Sequence, residues 1–231
     1  MTENLQELKR QAAEAAVSAA VRSGMVIGLG TGSTAVHMVR AIGRKLASGK
    51  LENIVGIPTS EATAAEARTC GVPLTTFDQH PLLDVTIDGA DEVDPHFNLI
   101  KGLGGALLRE KIVAISSKKM IVVGDYTKDV TKLGTKAPVP VEVVPFAQRP
   151  VADYLTSLGA RVILRKKEGS TFKTDENNII LDCHFDHGIA DPQALAQAIT
   201  LRPGVVEHGL FLNLATEVYL AGQEQVEHRK K

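Results

Sequence analysis

A short apolar run, Met25 to Gly28, passes directly into the turn Gly28-Leu29-Gly30-Thr31-Gly32-Ser33-Thr34-Ala35, and an amphipathic segment follows from Val36 to Leu46. Strand, glycine turn and helix in that order open a βα unit, which directs a chain toward an α/β fold. The turn is laid out for an anion. Successive backbone amides at a helix start, joined by the Thr31, Ser33 and Thr34 hydroxyls, can surround a dianion. The same residues also suit a tight turn closed by a Ser/Thr cap, with no ligand.

Nucleotide versions of this turn fit poorly. Gly28, Gly30 and Gly32 are spaced GxGxG, and Ser33 stands where the dinucleotide fingerprint needs its third glycine. The second strand, Ile54 to Ile57, runs into Pro58-Thr59-Ser60, so no acid stands at its end to hold an adenosine ribose. No Gly-Lys-Ser/Thr follows the loop either, which excludes the nucleoside-triphosphate pattern. A small phosphorylated ligand suits the turn better.

A second charged stretch is Lys101-Gly102-Leu103-Gly104-Gly105-Ala106-Leu107-Leu108-Arg109-Glu110-Lys111, and the acidic cluster Asp88-Gly89-Ala90-Asp91-Glu92-Val93-Asp94 shortly precedes it. The glycines allow a ligand close to the main chain, and good helix formers follow, so a helix is expected to begin near Gly105. Glu110 shares a largely apolar stripe with Ala106 and Val113. It is either a surface carboxylate or a tuned base in a pocket. Asp91, Glu92 and Asp94 could equally decorate a loop; their spacing departs from that of a calcium loop.

The rest of the chain reads as alternating elements. Leu5, Leu8, Ala12, Ala15, Ala16 and Ala19 recur at helical spacing from Thr2, a candidate cap, to Ser23, with Gly24 as the stop. Ser60 opens a helix to Cys70, Gly71 ends it, and Leu74 begins a short strand. Leu83 to Ile87 and Met120 to Val123 read as buried strands that end in Asp88-Gly89-Ala90-Asp91 and Gly124-Asp125-Tyr126-Thr127-Lys128. Charge therefore collects at the carboxyl ends of strands, the ligand side of an open parallel sheet.

Pro138 to Pro145 holds three prolines in eight residues and marks a boundary. Beyond it a helix (Phe146 to Leu158), strands (Arg161 to Leu164 and Ile179 to Cys183) and a helix (Pro192 to Ala198) make a small α+β unit. Val205-Val206 and Glu217 to Leu220 are expected to return to the first sheet, and the terminal His-Arg-Lys-Lys to be a solvated tail.

At 231 residues, one large α/β domain, with or without a small appendage, is the expected size. A net charge of −1 supplies no global field for nucleic acid or an anionic membrane. The two cysteines, Cys70 and Cys183, lie far apart and suit reduced thiols. A polar, acidic start and the lack of any membrane-length apolar run point to a cytoplasmic protein. His184, Asp186 and His187 form an HxxH spacing that fits neither a helical nor a strand metal site.

Taken in order, the segments at Gly28, Asp88, Lys101 and Pro138, with Gly204-Val205-Val206-Glu207-His208-Gly209-Leu210-Phe211, resemble ribose-5-phosphate isomerase of the A type along nearly the whole chain. The resemblance implies a Rossmann-like parallel-sheet domain, residues 1–135 plus 207–231, with a smaller α+β lid domain, 136–206. It implies a homodimer or homotetramer acting on a phosphorylated pentose, with no metal and no organic cofactor. Substrate-binding segments carried over are Thr31-Gly32-Ser33-Thr34, Asp88-Gly89-Ala90-Asp91, Lys101-Gly102-Leu103-Gly104 and Lys128. The catalytic base carried over is Glu110. In such a reaction Lys101 would stabilise oxygen charge, and Asp88 and Asp91 would serve ring opening and hydroxyl proton transfer. A sugar-phosphate sensor would share the fold, yet no DNA-reading module is visible. A hexosamine-phosphate deaminase or a lactonase shares the glycine turn but not the pattern at Lys101.

Overall fold

The apolar run becomes the strand Val26–Leu29, at the heart of a six-stranded sheet in the order Val226–Lys230, Ala215–Ala221, Met120–Asp125, Val85–Gly89, Val26–Leu29, Val55–Pro58. All neighbours are parallel except the first pair, Ala215–Ala221 with Val226–Lys230. The computed structural model describes residues 2–231, with side chains from residue 4 onward. The expected Thr2 cap rests on a side chain outside that range. Parallel strands buried on both faces read as continuous apolar runs, which is why Met120–Asp125 is buried at every position.

The helix Thr2–Ala20 lays Leu8, Ala12, Ala13, Ala16 and Val17 into this core, and Ala35–Ala47 adds Met38, Val39 and Ile42. The alanine stripe keeps the first helix close to its neighbours. Glu61–Thr69 is capped by Ser60, whose side chain accepts the Thr63 N–H at 3.0 Å.

The chain divides into two compact units: Met1–Ala90, Arg109–Lys128 and Leu214–Lys231 in one, Asp91–Leu108 and Asp129–Asn213 in the other. The stretch expected as a lid, 136–206, falls within the second. That unit centres on an antiparallel sheet in the order Val205–His208, Val139–Val143, Ile179–His184, Arg161–Leu164. The helices Gln148–Ser157 and Pro192–Thr200 complete its core through Val151, Leu155 and Ile199. It also takes in a small sheet of Glu92–Val93, Leu99–Ile100 and Leu210–Phe211, because Leu99–Ile100 pairs with Leu210–Phe211 and the Lys101 N–H donates to the Gly209 carbonyl at 2.9 Å.

Four local expectations are corrected. The proline-rich boundary contains the interior strand Val139–Val143. Pro140 is tolerated there because its carbonyl faces Gly209, whose N–H reaches it at 2.7 Å, so its missing donor falls just past the end of Val205–His208. Val205-Val206 joins this second sheet, not the first, while Ala215–Ala221 does enter the first. Leu74 makes only an isolated bridge to Gly56. The terminal His-Arg-Lys-Lys belongs largely to the edge strand Val226–Lys230, where charged residues protect an exposed sheet edge.

Candidate active site

On the first unit, the loop Gly30–Thr34 leaves Val26–Leu29 beside the end of Val85–Gly89, with Leu29 opposite Ile87. The Gly30 N–H donates to the Ile87 carbonyl at 3.1 Å, and the Thr31 N–H to Asp88 Oδ1 at 3.1 Å. A Cβ on Gly30 would lie 2.2 Å from Asp88 Oδ1 and 2.6 Å from the Asp88 Cα, so only glycine permits this approach. The Thr31 hydroxyl meets those of Thr59 at 2.7 Å, Ser60 at 2.8 Å and Thr63 at 3.1 Å. Thr63 in turn donates to the Gly30 carbonyl at 3.0 Å. Gly32 and Ser33 remain exposed, and Thr34 is buried at the start of the helix Ala35–Ala47 without making a side-chain cap bond.

Asp88 is fully buried at the carboxyl end of its strand, and its Oδ1 also accepts the Gly89 N–H at 2.7 Å. Gly89 and Ala90 are half-buried beyond it. Lys128 closes the short turn Tyr126–Lys128 after the neighbouring strand Met120–Asp125, on the same edge of the sheet.

Glu110 lies on the helix Leu107–Ile115 and is 3% exposed, so it is not a surface carboxylate. The helix direction places it. Val113 packs over mid-sheet, where its Cγ1 would be 2.5 Å from a Cβ on Gly28, and Ser116 accepts the N–H of Leu83 before its strand begins. The helix therefore runs toward the strand beginnings, and Glu110, one turn earlier, lies toward the edge that carries Gly30 and Asp88. Its neighbour Arg109 pairs with Glu61 at 2.8 Å.

The second unit holds the remaining candidates. Asp91 is half-buried, and its Oδ2 accepts the Leu103 N–H at 3.0 Å. Lys101 is 2% exposed, with Nζ 5.4 Å from the Phe211 ring centroid. Its loop turns through a Gly105 N–H to Gly102 carbonyl bond of 2.9 Å, while Leu103 and Gly104 are exposed.

The rest of the acidic cluster is not decoration. Glu92 is fully buried and accepts the backbone N–H groups of Gly134, Lys136 and Ala137 at 2.6, 2.5 and 2.7 Å. Asp94 accepts those of His96 and Asn98, each at 2.8 Å, closing the turn between the short strands.

The family described as ribose 5-phosphate isomerase A (phosphoriboisomerase A) matches residues 55–225. The chain belongs to that family. A ribose-5-phosphate isomerase A of Roseiflexus castenholzii is 54% identical over 219 residues, 94% of this chain and 93% of the relative, so the likeness extends over the Gly30 loop as well. The ribose 5-phosphate isomerase of Plasmodium falciparum superposes with a TM-score of 0.96 at 41% identity, covering 98% of this chain and 99% of that one. A D-ribose-5-phosphate isomerase solved in complex with phospho-erythronic acid gives 0.95 at 38% identity, covering 99% and 100%.

A cation with no signal in the sequence also stands beside the glycine loop. Lys9 donates to Ser33 Oγ at 3.0 Å from the helix Thr2–Ala20. Nothing local marks Lys9, which lies 24 residues before its partner. Among the described residues, no group of three or more His, Cys, Asp or Glu side chains is arranged to hold a metal ion, and no helix is long and apolar enough to cross a membrane.

Proposed function

We propose that the protein interconverts D-ribose 5-phosphate and D-ribulose 5-phosphate by proton transfer through an enediolate. The observation that carries this reading is the convergence, on one edge of one sheet, of an anion-suited loop, the buried Asp88 and the buried Glu110. Family membership and a relative's complex with phospho-erythronic acid, a phosphorylated hydroxy acid, support it. The loop Thr31–Thr34, with Lys128, grips the phosphate, so binding energy remote from the reacting carbons orients the sugar. Glu110 takes the proton from one carbon and returns it to the next. Lys101 stabilises the developing oxygen charge, with the Gly102–Gly104 backbone alongside. Asp88 and Asp91 serve ring opening and hydroxyl proton transfer.

In the same reading residues 136–206 act as the lid, and the protein works in the cytoplasm as a homodimer or homotetramer in the non-oxidative branch of the pentose phosphate pathway. Light scattering after size exclusion tests the assembly. The activity is tested by incubation with ribose 5-phosphate and detection of ribulose 5-phosphate. Glu110→Gln keeps the shape and removes the base, so kcat should fall by about 10² to 10⁴. Normal turnover by the folded variant would remove Glu110 from the mechanism. Proton transfer also predicts that the C2 hydrogen exchanges with solvent and that EDTA is harmless. Quantitative retention of that hydrogen at C1 would point to a hydride shift instead.

A further inference from the structure

The loop that follows Lys101 is gripped by a side chain more than sixty residues away. Arg165 directly follows the strand Arg161–Leu164; its N–H donates to the Ile180 carbonyl at 2.9 Å and its carbonyl accepts the Phe172 N–H at 3.0 Å. Its guanidinium forms a two-point pair with Asp182, Nε donating to Oδ2 at 2.9 Å and Nη2 to Oδ1. The two side chains are only 11% and 15% exposed, so the pair is largely shielded from water.

The remaining nitrogen reaches the loop. Nη1 donates to the Gly102 carbonyl at 2.8 Å and to the Leu103 carbonyl at 3.0 Å. Because peptide units are planar and trans, fixing those carbonyls also fixes the next N–H groups, which point away from Arg165. One of them, the Leu103 N–H, is taken by Asp91 at 3.0 Å. The other is the Gly104 N–H, on an exposed residue. Phe172 supports the end of the loop, where a Cβ on Gly105 would lie 2.4 Å from Phe172 Cζ, and its ring centroid is 5.9 Å from Arg165 Cζ. A lysine could not replace this arrangement, since one ammonium cannot hold a carboxylate at two points and two carbonyls in a single plane.

We propose that Arg165 is a positioning residue for the isomerisation. By clamping the Gly102 and Leu103 carbonyls it fixes the backbone on which Lys101 stands and presents the Gly104 N–H as a donor to the sugar oxygens. The proposal rests on the isomerase reading above. Arg165 touches no substrate in this scheme and acts through the loop, with Asp182 as its anchor.

The test compares Arg165→Gln, Arg165→Lys and Asp182→Asn by turnover of ribose 5-phosphate, thermal unfolding and hydrogen exchange of residues 101–105. Arg165→Gln should lose about 30- to 100-fold in kcat while KM changes no more than about threefold, because the loop is displaced and the phosphate grip is not. The Leu103 amide, which is bonded to Asp91, should exchange faster. Arg165→Lys should recover only part of the rate, and Asp182→Asn should fall between the lysine variant and wild type. If Arg165→Gln does not fold, the lysine variant carries the same comparison. Wild-type kcat with unchanged exchange overturns the proposal, as does a loss confined to Tm and the yield of folded protein. If the wild-type protein leaves ribose 5-phosphate unchanged, the isomerase reading fails, and loop exchange alone then decides whether Arg165 holds the loop.

Discussion

The protein has two glycine loops that carry proposed substrate contacts, and they are held in opposite ways. Gly30–Thr34 is set by the strand it leaves, by the neighbouring strand at Ile87 and Asp88, and by hydroxyls at Thr59, Ser60 and Thr63. Its glycine packs against backbone inside a parallel sheet. Lys101–Gly105 is set by long side chains, Asp91 on its amide side and Arg165 on its carbonyl side, with the Phe172 ring against Gly105. A loop pinned to sheet backbone cannot yield without moving the sheet. A loop clamped by side chains can yield when they rotate, so the same insult should cost the two loops different amounts.

The largest expected effect is Gly30→Ala. The new methyl would meet the Asp88 Cα at 2.6 Å, and neither strand can retreat. Overpacking of this kind costs about 1–3 kcal/mol, and the displaced loop and Asp88 together should lower kcat/KM by about 100-fold. Gly105→Ala should be milder in turnover, because its clash is with the tip of the Phe172 ring. It still carries the strain of a φ of +84°, worth about 1 kcal/mol. Combining it with Phe172→Ala should relieve the steric part and leave the backbone part. Equal losses in the two glycine variants, measured by steady-state kinetics, would end the distinction between the loops.

Thr31→Val probes the first loop more gently. The valine keeps the shape and removes the hydroxyl that meets Thr59, Ser60 and Thr63. Leaving those buried groups short of a partner should weaken substrate binding about tenfold, seen as a raised KM with kcat less affected. A drop in kcat at constant KM would mean that this loop acts on the reacting carbons and not on the phosphate.

The contrast also explains what the sequence disclosed. The first loop's turn, its adjoining strand and its helix are contiguous, so residues 25–46 announce them in order. Glu110 was legible as a choice between surface and pocket, and its burial removes the surface alternative. The second loop's clamp joins Gly102 to Arg165 and Asp182, and Arg165 stands between a strand that alternates exposed and half-buried residues and the exposed Lys166 and Lys167. Lys9 on Ser33 and Glu92 on the turn at Gly134 are long-range contacts of the same kind. His228 to Lys231 read as a tail because edge strands carry charge, and Pro138 to Pro145 as a boundary because of its prolines, although Pro140 inside Val139–Val143 has its missing donor just past the end of Val205–His208.

The smallest effect lies in the sheet that carries Asp182. Glu142 sits on the adjacent strand, paired with Ile180, and is 1% exposed. Burial pushes its carboxyl above the ordinary carboxylate value, and Glu176 and Glu207 push the same way, while hydrogen bonds from Asn178 and Thr174, each 2.9 Å, offset part of the shift. The folded state therefore holds this proton more tightly than the unfolded chain. Stability falls as pH rises from the ordinary carboxylate value through the raised one, then levels. Glu142→Gln keeps an oxygen for Thr174 and Asn178 and removes the charge. It should be more stable than the parent by about 1 kcal/mol near pH 7, with the gain vanishing toward pH 4. Urea unfolding of both proteins at the two pH values reads the difference directly, since every other titrating group is shared. A gain that persisted at pH 4 would trace to packing, and one accompanied by faster exchange at Leu103 would show that this sheet's charge state reaches the Arg165 clamp.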